Sequence, residues 1–269
     1  MTIFGTNTAI IGMVHLSALP GSPGYDGNFD AIRTRALTDA HALESGGVDA
    51  IMVENFGDSP FYRDDVPKHV VASMTRIVTE LRQAVSCPLG VNVLRNDAES
   101  ALSIATASGA DFIRVNVHTG ARLTDQGVVE GNAHETLRLR EEIGSGVTIL
   151  ADIDVKHSAP LAERPLDELV AETLGRGRAD GVVVSGVGTG HEVDTDLLES
   201  VVAVRDKTGS SAPVLVGSGT TTENVADLLD VADGAIVGTA LKSGGKTTNE
   251  VDESRVAKLV SRVHDRNES

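Results

Sequence analysis

The sequence predicts an α/β chain folded as a (β/α)8, or TIM-type, barrel, on three observations. A short phrase recurs four times: a small residue or glycine, an aspartate, then a β-rich apolar run. The copies are SGGVDAIMVEN with Asp49, ASGADFIRVNV with Asp111, GRADGVVVSG with Asp180 and VADGAIVGT with Asp233. The aspartates lie 62, 69 and 53 residues apart, about twice the ~30 residues of one strand-plus-helix unit. Another strand-like run fills every gap, and one precedes the first copy, which makes eight. A doubly wound open sheet shares this alternation and is the alternative.

The elements follow in order. The first run, NTAIIGMVHL from Asn7, sets Ile11, Met13 and His15 on one side and breaks into SALPGSPGY, a loop expected to shape the mouth of a shared pocket. Phe29, Ile32, Ala36, Ala40 and Leu43 then share a helical face. The second run ends with Met52 and Glu54 on one side, and Val70, Met74, Ile77, Leu81 and Val85 mark the next helix. CPLGVNVL, from Cys87, ends with Asn92 and precedes a helix near 97–108. The fourth run ends with Arg114, Asn116 and His118, before a helix near 133–143. In the fifth, GVTILADIDV from Gly146, the two-residue period puts Leu150, Asp152, Asp154 and Lys156 on one side. Helices near 165–177, 194–207, 221–231 and 250–265 separate and follow the remaining runs, of which APVLVGSG begins at Ala212. Gly46, Gly109 and Gly177 read as left-handed C-caps. No proline- or serine-rich linker divides the chain, so residues 1–269 read as a single barrel domain.

Composition bounds the partners. The chain has 269 residues, 41% of them hydrophobic, enough for a large core. No apolar run reaches the ~18 residues of a membrane span, and MTIFGTNTAI lacks the features of a secretory signal. A cytoplasmic location is expected. Cys87, the only cysteine, excludes an internal disulfide and a zinc site of several thiolates. Beside Pro88 it reads as a small core residue. A net charge of −16 argues against nucleic acid and anionic membranes as partners. Seventeen arginines stand against six lysines, aromatics are 3%, and tryptophan is absent. Together with the acidic excess, these read as halophilic adaptation to a salt-rich cytosol. An acidic surface serving solubility alone is the other reading.

In such barrels, chemistry sits at the C-terminal strand ends. His15, Glu54, Asp152, Asp154 and Lys156 are the candidate catalytic residues. Asn92, Arg114, Asn116, His157 and Ser185 are candidates for substrate binding. Ionisable groups on a buried parity are costly to desolvate, which favours function, although a self-neutralising cluster meets the same cost. Taken alone, His15 reads as a hydrogen-bonded structural residue, the usual case for a lone histidine at a strand end. The second half carries glycine-rich loops: SGVGTGHEV (Ser185–Val193), GSGTTTENV (Gly217–Val225) and VGTALK (Val237–Lys242). Glycine lets backbone N–H groups approach an anion, and the seventh and eighth loops often hold phosphate. Gly188, Gly217, Gly219, Thr220, Gly238 and Thr239 are the candidate phosphate ligands, with Lys242 adding charge. Tight turns are the plain alternative for these glycines. GVGTGH fails the dinucleotide fingerprint at His191, and SGGKTT fails the P-loop pattern at Ala240. Glu54, Asp152 and Asp154 are the oxygen donors a divalent metal would take.

The segments IGMVHLSALPGSPGY, DAIMVENFGDSPF, GVNVLRND, IRVNVHTGA and ADIDVKHS closely resemble the BtpA/SgcQ family over essentially the whole chain. The resemblance implies a phosphate-binding (β/α)8 barrel. The family takes its name from a role in photosystem I accumulation. Other members sit in sugar-utilisation gene clusters, and some carry a nucleosidase label. The expectation is therefore an enzyme acting on a small phosphorylated sugar or nucleoside-like substrate, by isomerisation, aldol cleavage or cleavage at an anomeric carbon. A non-enzymatic photosystem I assembly factor is the alternative, and a divalent-metal enzyme a third. Self-association as a homo-oligomer is left open.

Overall fold

The computed structural model describes residues 4–6, 8–155, 157–186 and 194–267. Its strands are β1 (Ala9–His15), β2 (Ala50–Glu54), β3 (Leu89–Asn92), β4 (Phe112–Val115), β5 (Ala121–Thr124), β6 (Gly127–Glu130), β7 (Thr148–Asp154), β8 (Ala159–Pro160), β9 (Gly181–Val184), β10 (Val214–Val216) and β11 (Gly234–Val237). Eight of them close into a parallel barrel in the order β1-β11-β10-β9-β7-β4-β3-β2. Because β1 pairs with both β2 and β11, the sheet has no edge there, which rules out the doubly wound alternative. The strands β6-β5-β8 form a small antiparallel sheet that the sequence reading did not anticipate. Its hairpin turns at Asp125 and Gln126, and Gly127 takes the left-handed backbone.

The barrel strands are buried on both faces, so they read as near-continuous apolar runs. One parity, including Ile11, Met13, Met52, Phe112, Leu150, Val183, Leu215 and Ile236, fills the barrel. The other, including Ile10, Val14, Ile51, Val53, Val91, Ile113, Val182 and Val216, packs against the helices. Large and small residues complement one another inside: a Cβ on Gly90 would collide with the Phe112 ring.

The recurring aspartate has a structural cause. Asp49 accepts a hydrogen bond from the Ile10 N–H at 2.7 Å, Asp111 from Leu89 at 2.8 Å, Asp180 from Ile149 at 2.8 Å and Asp233 from Val214 at 2.8 Å. Each carboxylate, just before one barrel strand, ties down the start of the barrel strand before it. The phrase therefore recurs once every two units, at the barrel face opposite the expected site.

Eight helices among the described residues cover the barrel: α1 (Phe29–Ser45), α2 (Lys68–Ala84), α3 (Ala98–Ser108), α4 (Ala133–Glu142), α5 (Leu166–Leu174), α6 (Thr195–Lys207), α7 (Val225–Leu229) and α8 (Glu253–Asn267). Side chains of Asn28, Asp97 and Asp194 cap α1, α3 and α6 by accepting from first-turn N–H groups. Gly109 is the left-handed cap expected, with φ +76°. Gly46 keeps right-handed φ −76°, and Gly47 takes the left-handed turn instead. Gly177 is not left-handed, because α5 already ends at Leu174. Helix α7 is shorter than expected. Asn224 folds back ahead of it, donating to the Gly219 carbonyl at 3.0 Å and accepting from Thr221 N–H at 2.7 Å. Among the described residues, no helix is long and apolar enough to cross a membrane.

Candidate functional site

The interior parity that is apolar deep in the barrel turns polar at the C-terminal strand ends. His15 and Glu54 are register partners across β1 and β2, and Glu54 and Asn92 across β2 and β3. His15 Nε2 lies 4.0 Å from Glu54 Oε1, while Asn92 donates to Glu54 Oε2 at 2.8 Å. The imidazole tilts against Phe56 at 5.0 Å between ring centres. Opposite these, Arg114 binds Asp152 in bidentate fashion, Nε to Oδ1 at 2.8 Å and Nη2 to Oδ2 at 2.9 Å. Nη2 also donates to Ser185 at 3.2 Å, and Asn116 donates to Asp152 Oδ2 at 3.2 Å. Burial opposes the charge on Arg114, but Asp152 outweighs it and holds the guanidinium above its ordinary pKa.

A cavity of about 440 Å³ opens at this face. His15, Glu54 and Arg114 line its buried part, with Asn92, Asp152 and Ser185 hydrogen-bonded to them and Asn116 hydrogen-bonded to Asp152. Gly217, Gly219, Thr220, Gly238 and Thr239 line the same cavity, which therefore joins the expected phosphate loops to the ionisable pair. The glycines are required by space. A Cβ on Gly238 would lie 2.8 Å from His15 Cε1, and one on Gly217 would collide with Val183. Gly219 has φ +73°. The Thr220 hydroxyl is buried and has no hydrogen-bond partner among the described residues. The rim adds two cations from α8, Arg255 and Lys258, and one acid, Glu223.

Several sequence expectations change. Lys242 does not supply charge to the seventh and eighth loops: it is fully buried, and its Nζ pairs with Asp39 at 3.2 Å. Arg255 and Lys258 stand in the place expected of it. The sequence signal for them was weak, since they lie on a predicted helix beyond the last strand. Asp154 does not share Asp152's side, because a bulge at Ile153 breaks the two-residue period: Asp152 pairs with Val183 and Asp154 with Val184. Asp154 is half exposed and pairs with Arg122 at 2.6 Å. His118 does not join the central cluster; its Nε2 lies 2.8 Å from the Gly177 carbonyl, between strand and helix layers. His157 is exposed and does not line the cavity. Nor does SALPGSPGY line it; Leu19 N–H of that loop donates to the buried Asp58 at 2.7 Å. Lys156 and Gly188 lie outside the described residues. Arg95, directly after the third strand's segment, was missed by the sequence reading. It is buried, which lowers its pKa, and the charges of Asp152 and Glu54 act on it.

The three carboxylates expected to share a metal do not gather: Asp152 is held by Arg114, and Asp154 faces Arg122. Among the described residues, no group of three or more His, Cys, Asp or Glu side chains is placed to hold a metal ion.

Comparison with known proteins agrees with the barrel. The chain is 46% identical over 257 residues to the photosystem I biogenesis protein BtpA of Synechocystis, covering 96% of this chain and 88% of that protein. It is 49% identical over 253 residues to an uncharacterised protein of Thermococcus kodakarensis, covering 93% of each. Among solved structures, N-(5'-phosphoribosyl)anthranilate isomerase from Pyrococcus furiosus superposes with a TM-score of 0.57 at 15% identity, covering 96% of this chain and 99% of that one. The model of the BtpA family matches residues 6–265, and the chain belongs to that family.

Proposed function

We propose that this protein is an enzyme acting on a small phosphorylated, sugar-like compound. The carrying observation is the single cavity that joins Gly217–Thr220 and Gly238–Thr239 to His15 and Glu54. Backbone N–H groups of the glycine loops and the Thr220 hydroxyl hold the phosphate, and Arg255 and Lys258 balance its charge. Fixing the phosphate makes the reacting end effectively intramolecular. His15 and Glu54 then move the proton each reaction needs: from carbon to carbon in isomerisation, from a hydroxyl oxygen in aldol cleavage, or onto the leaving group in cleavage at an anomeric carbon. Arg114, held rigid by Asp152, stabilises negative charge developing on the substrate.

The test is a thermal-shift screen of sugar phosphates and nucleotides, because a ligand bound by the native state raises its melting temperature. Thr220→Val and Arg255→Gln should each weaken binding of the hit. His15→Gln and Glu54→Gln should keep binding but lose about 10²–10⁴ in turnover. Full turnover in a folded Glu54→Gln protein would reject the proton-transfer role, and unchanged binding in both loop variants would reject the phosphate site. A protein that stabilises with no phosphorylated compound supports the non-enzymatic alternative.

A further inference from the structure

A second cavity, of about 670 Å³, lies outside the barrel between α4 and α5 and shares no lining residue with the first. Its charge runs against the rest of the molecule. In a chain of net charge −16, three arginines line it, Arg138, Arg176 and Arg178, against one acid, Glu172. Glu172 is already paired with Arg164 at 2.9 Å. Among the described residues, none of the three arginines is ion-paired, and all three are exposed. The first turn of α4, with Ala133 and His134, also faces the cavity and adds a favourable dipole for an anion.

His118 lines the same cavity and is only 1% exposed. Its Nε2 sits 2.8 Å from the Gly177 carbonyl, which can only accept, so Nε2 carries the hydrogen and Nδ1 is an acceptor. That Nδ1 is buried and has no partner among the described residues. Burial lowers the pKa of this imidazole, consistent with the neutral form. Arg138 Nη1 donates to the His134 carbonyl at 2.7 Å, but no acid neutralises the three guanidiniums among the described residues, and a buried acceptor left open beside them asks for a ligand with both an anionic group and a hydrogen-bond donor.

We infer that this groove is a second binding site, for a small hydroxylated phosphate ester, with Arg138, Arg176 and Arg178 taking the phosphate and His118 Nδ1 accepting from a hydroxyl. Arginine suits the phosphate because its planar fork can donate two hydrogen bonds at once. The inference does not depend on the function proposed for the barrel-mouth cavity.

The experiment measures ribose 5-phosphate binding by calorimetry in an Arg255→Gln/Lys258→Gln protein, where the barrel-mouth rim has lost its cations. One saturable equivalent is expected to remain there, and to weaken at least tenfold when Arg176→Gln and Arg178→Gln are added. Both arginines are exposed, so the fold should survive, and the melting temperature checks this. No saturable binding in the first protein, or unchanged binding in the second, overturns the site. His118→Gln separates the histidine's part, because glutamine's amide still donates to Gly177 while the Nδ1 acceptor is gone. Ribose 5-phosphate should then weaken several-fold while inorganic phosphate is unaffected. Equal loss for both probes, or for neither, overturns the hydroxyl contact.

Discussion

His118 illustrates how a single residue's surroundings set its chemistry. On sequence it stands two and four residues beyond Asn116 and Arg114, on what the strand period makes the same side. Strand β4 ends at Val115, however; Asn116 still reaches Asp152, but by His118 the period no longer holds. The side chain turns instead toward Gly177, where burial lowers its pKa below the ordinary value. The sign of the consequence follows from proton counts. In the unfolded chain this histidine takes up a proton as pH falls through ~6.5, whereas the folded one does so only at lower pH. Between those values the unfolded state binds more protons, so stability rises with pH and is lost as pH falls below ~6.5. Wild-type melting temperature should therefore fall more steeply from pH 7 to pH 5.5 than that of His118→Gln. Parallel slopes would show that His118 is not held neutral by the fold. The same kind of local break explains Asp154: the register shift between Asp152 and Asp154 leaves no mark in the run ILADIDV.

At the scale of elements, the four aspartate stitches bind the barrel in pairs of strands. Asp111 accepts from Leu89 N–H at 2.8 Å and pairs with Arg82 of α2 at 3.4 Å. A hydrogen bond to a charged group contributes about 1.5–3 kcal/mol. Half exposure of Asp111 argues for the lower end, so Asp111→Ala should cost about 1–2 kcal/mol. That is a fall of roughly 2–8 °C in melting temperature for a domain of this size. Asp111→Asn keeps an acceptor oxygen and should recover part of it. A melting temperature in Asp111→Ala equal to wild type would show that the stitch carries no stability. The repeat was plain in the sequence, as were the eight strands and most helices, because hydrophobic period and spacing are local. The bonds behind the repeat were not, since each partner lies 19 to 39 residues upstream. For the same reason the layer His15, Glu54, Asn92, Arg114 and Asp152 was readable from parity, while the sources of positive charge were not. Lys242 stands next to the eighth loop in sequence but is drawn inward by Asp39, a residue of α1. Arg255 and Lys258 reach the cavity because barrel closure carries α8 round to the eighth loop.

Across the whole molecule, charge is distributed unevenly. Acids outnumber lysine and arginine 39 to 23, yet cations concentrate at the two cavities. Most of the core is apolar, both in the barrel interior and at the helix interface, and Arg114–Asp152 and Lys242–Asp39 are ion pairs buried within it. The surface instead carries repulsion spread over many carboxylates, relieved by ion pairs such as Arg33 with Glu80 and Arg205 with Asp233. Both of these pairs are partly shielded from solvent, while pairs at fully exposed positions contribute little individually. Salt weakens both attraction and repulsion, and at ~1 M the screening length falls to about 3 Å. With net charge at −16, the repulsive sum is larger than the attractive one, so screening should stabilise the fold. The melting temperature should therefore rise between 0.05 and 1 M KCl and then level off, as the screening length drops below the spacing of surface charges. A neutral osmolyte at matched osmolality separates this from general exclusion effects, because it strengthens burial without screening charge. A melting temperature that falls steadily as KCl rises would mean that the ion pairs, not the excess carboxylates, govern the surface, and the salt-adapted reading of the composition would be wrong.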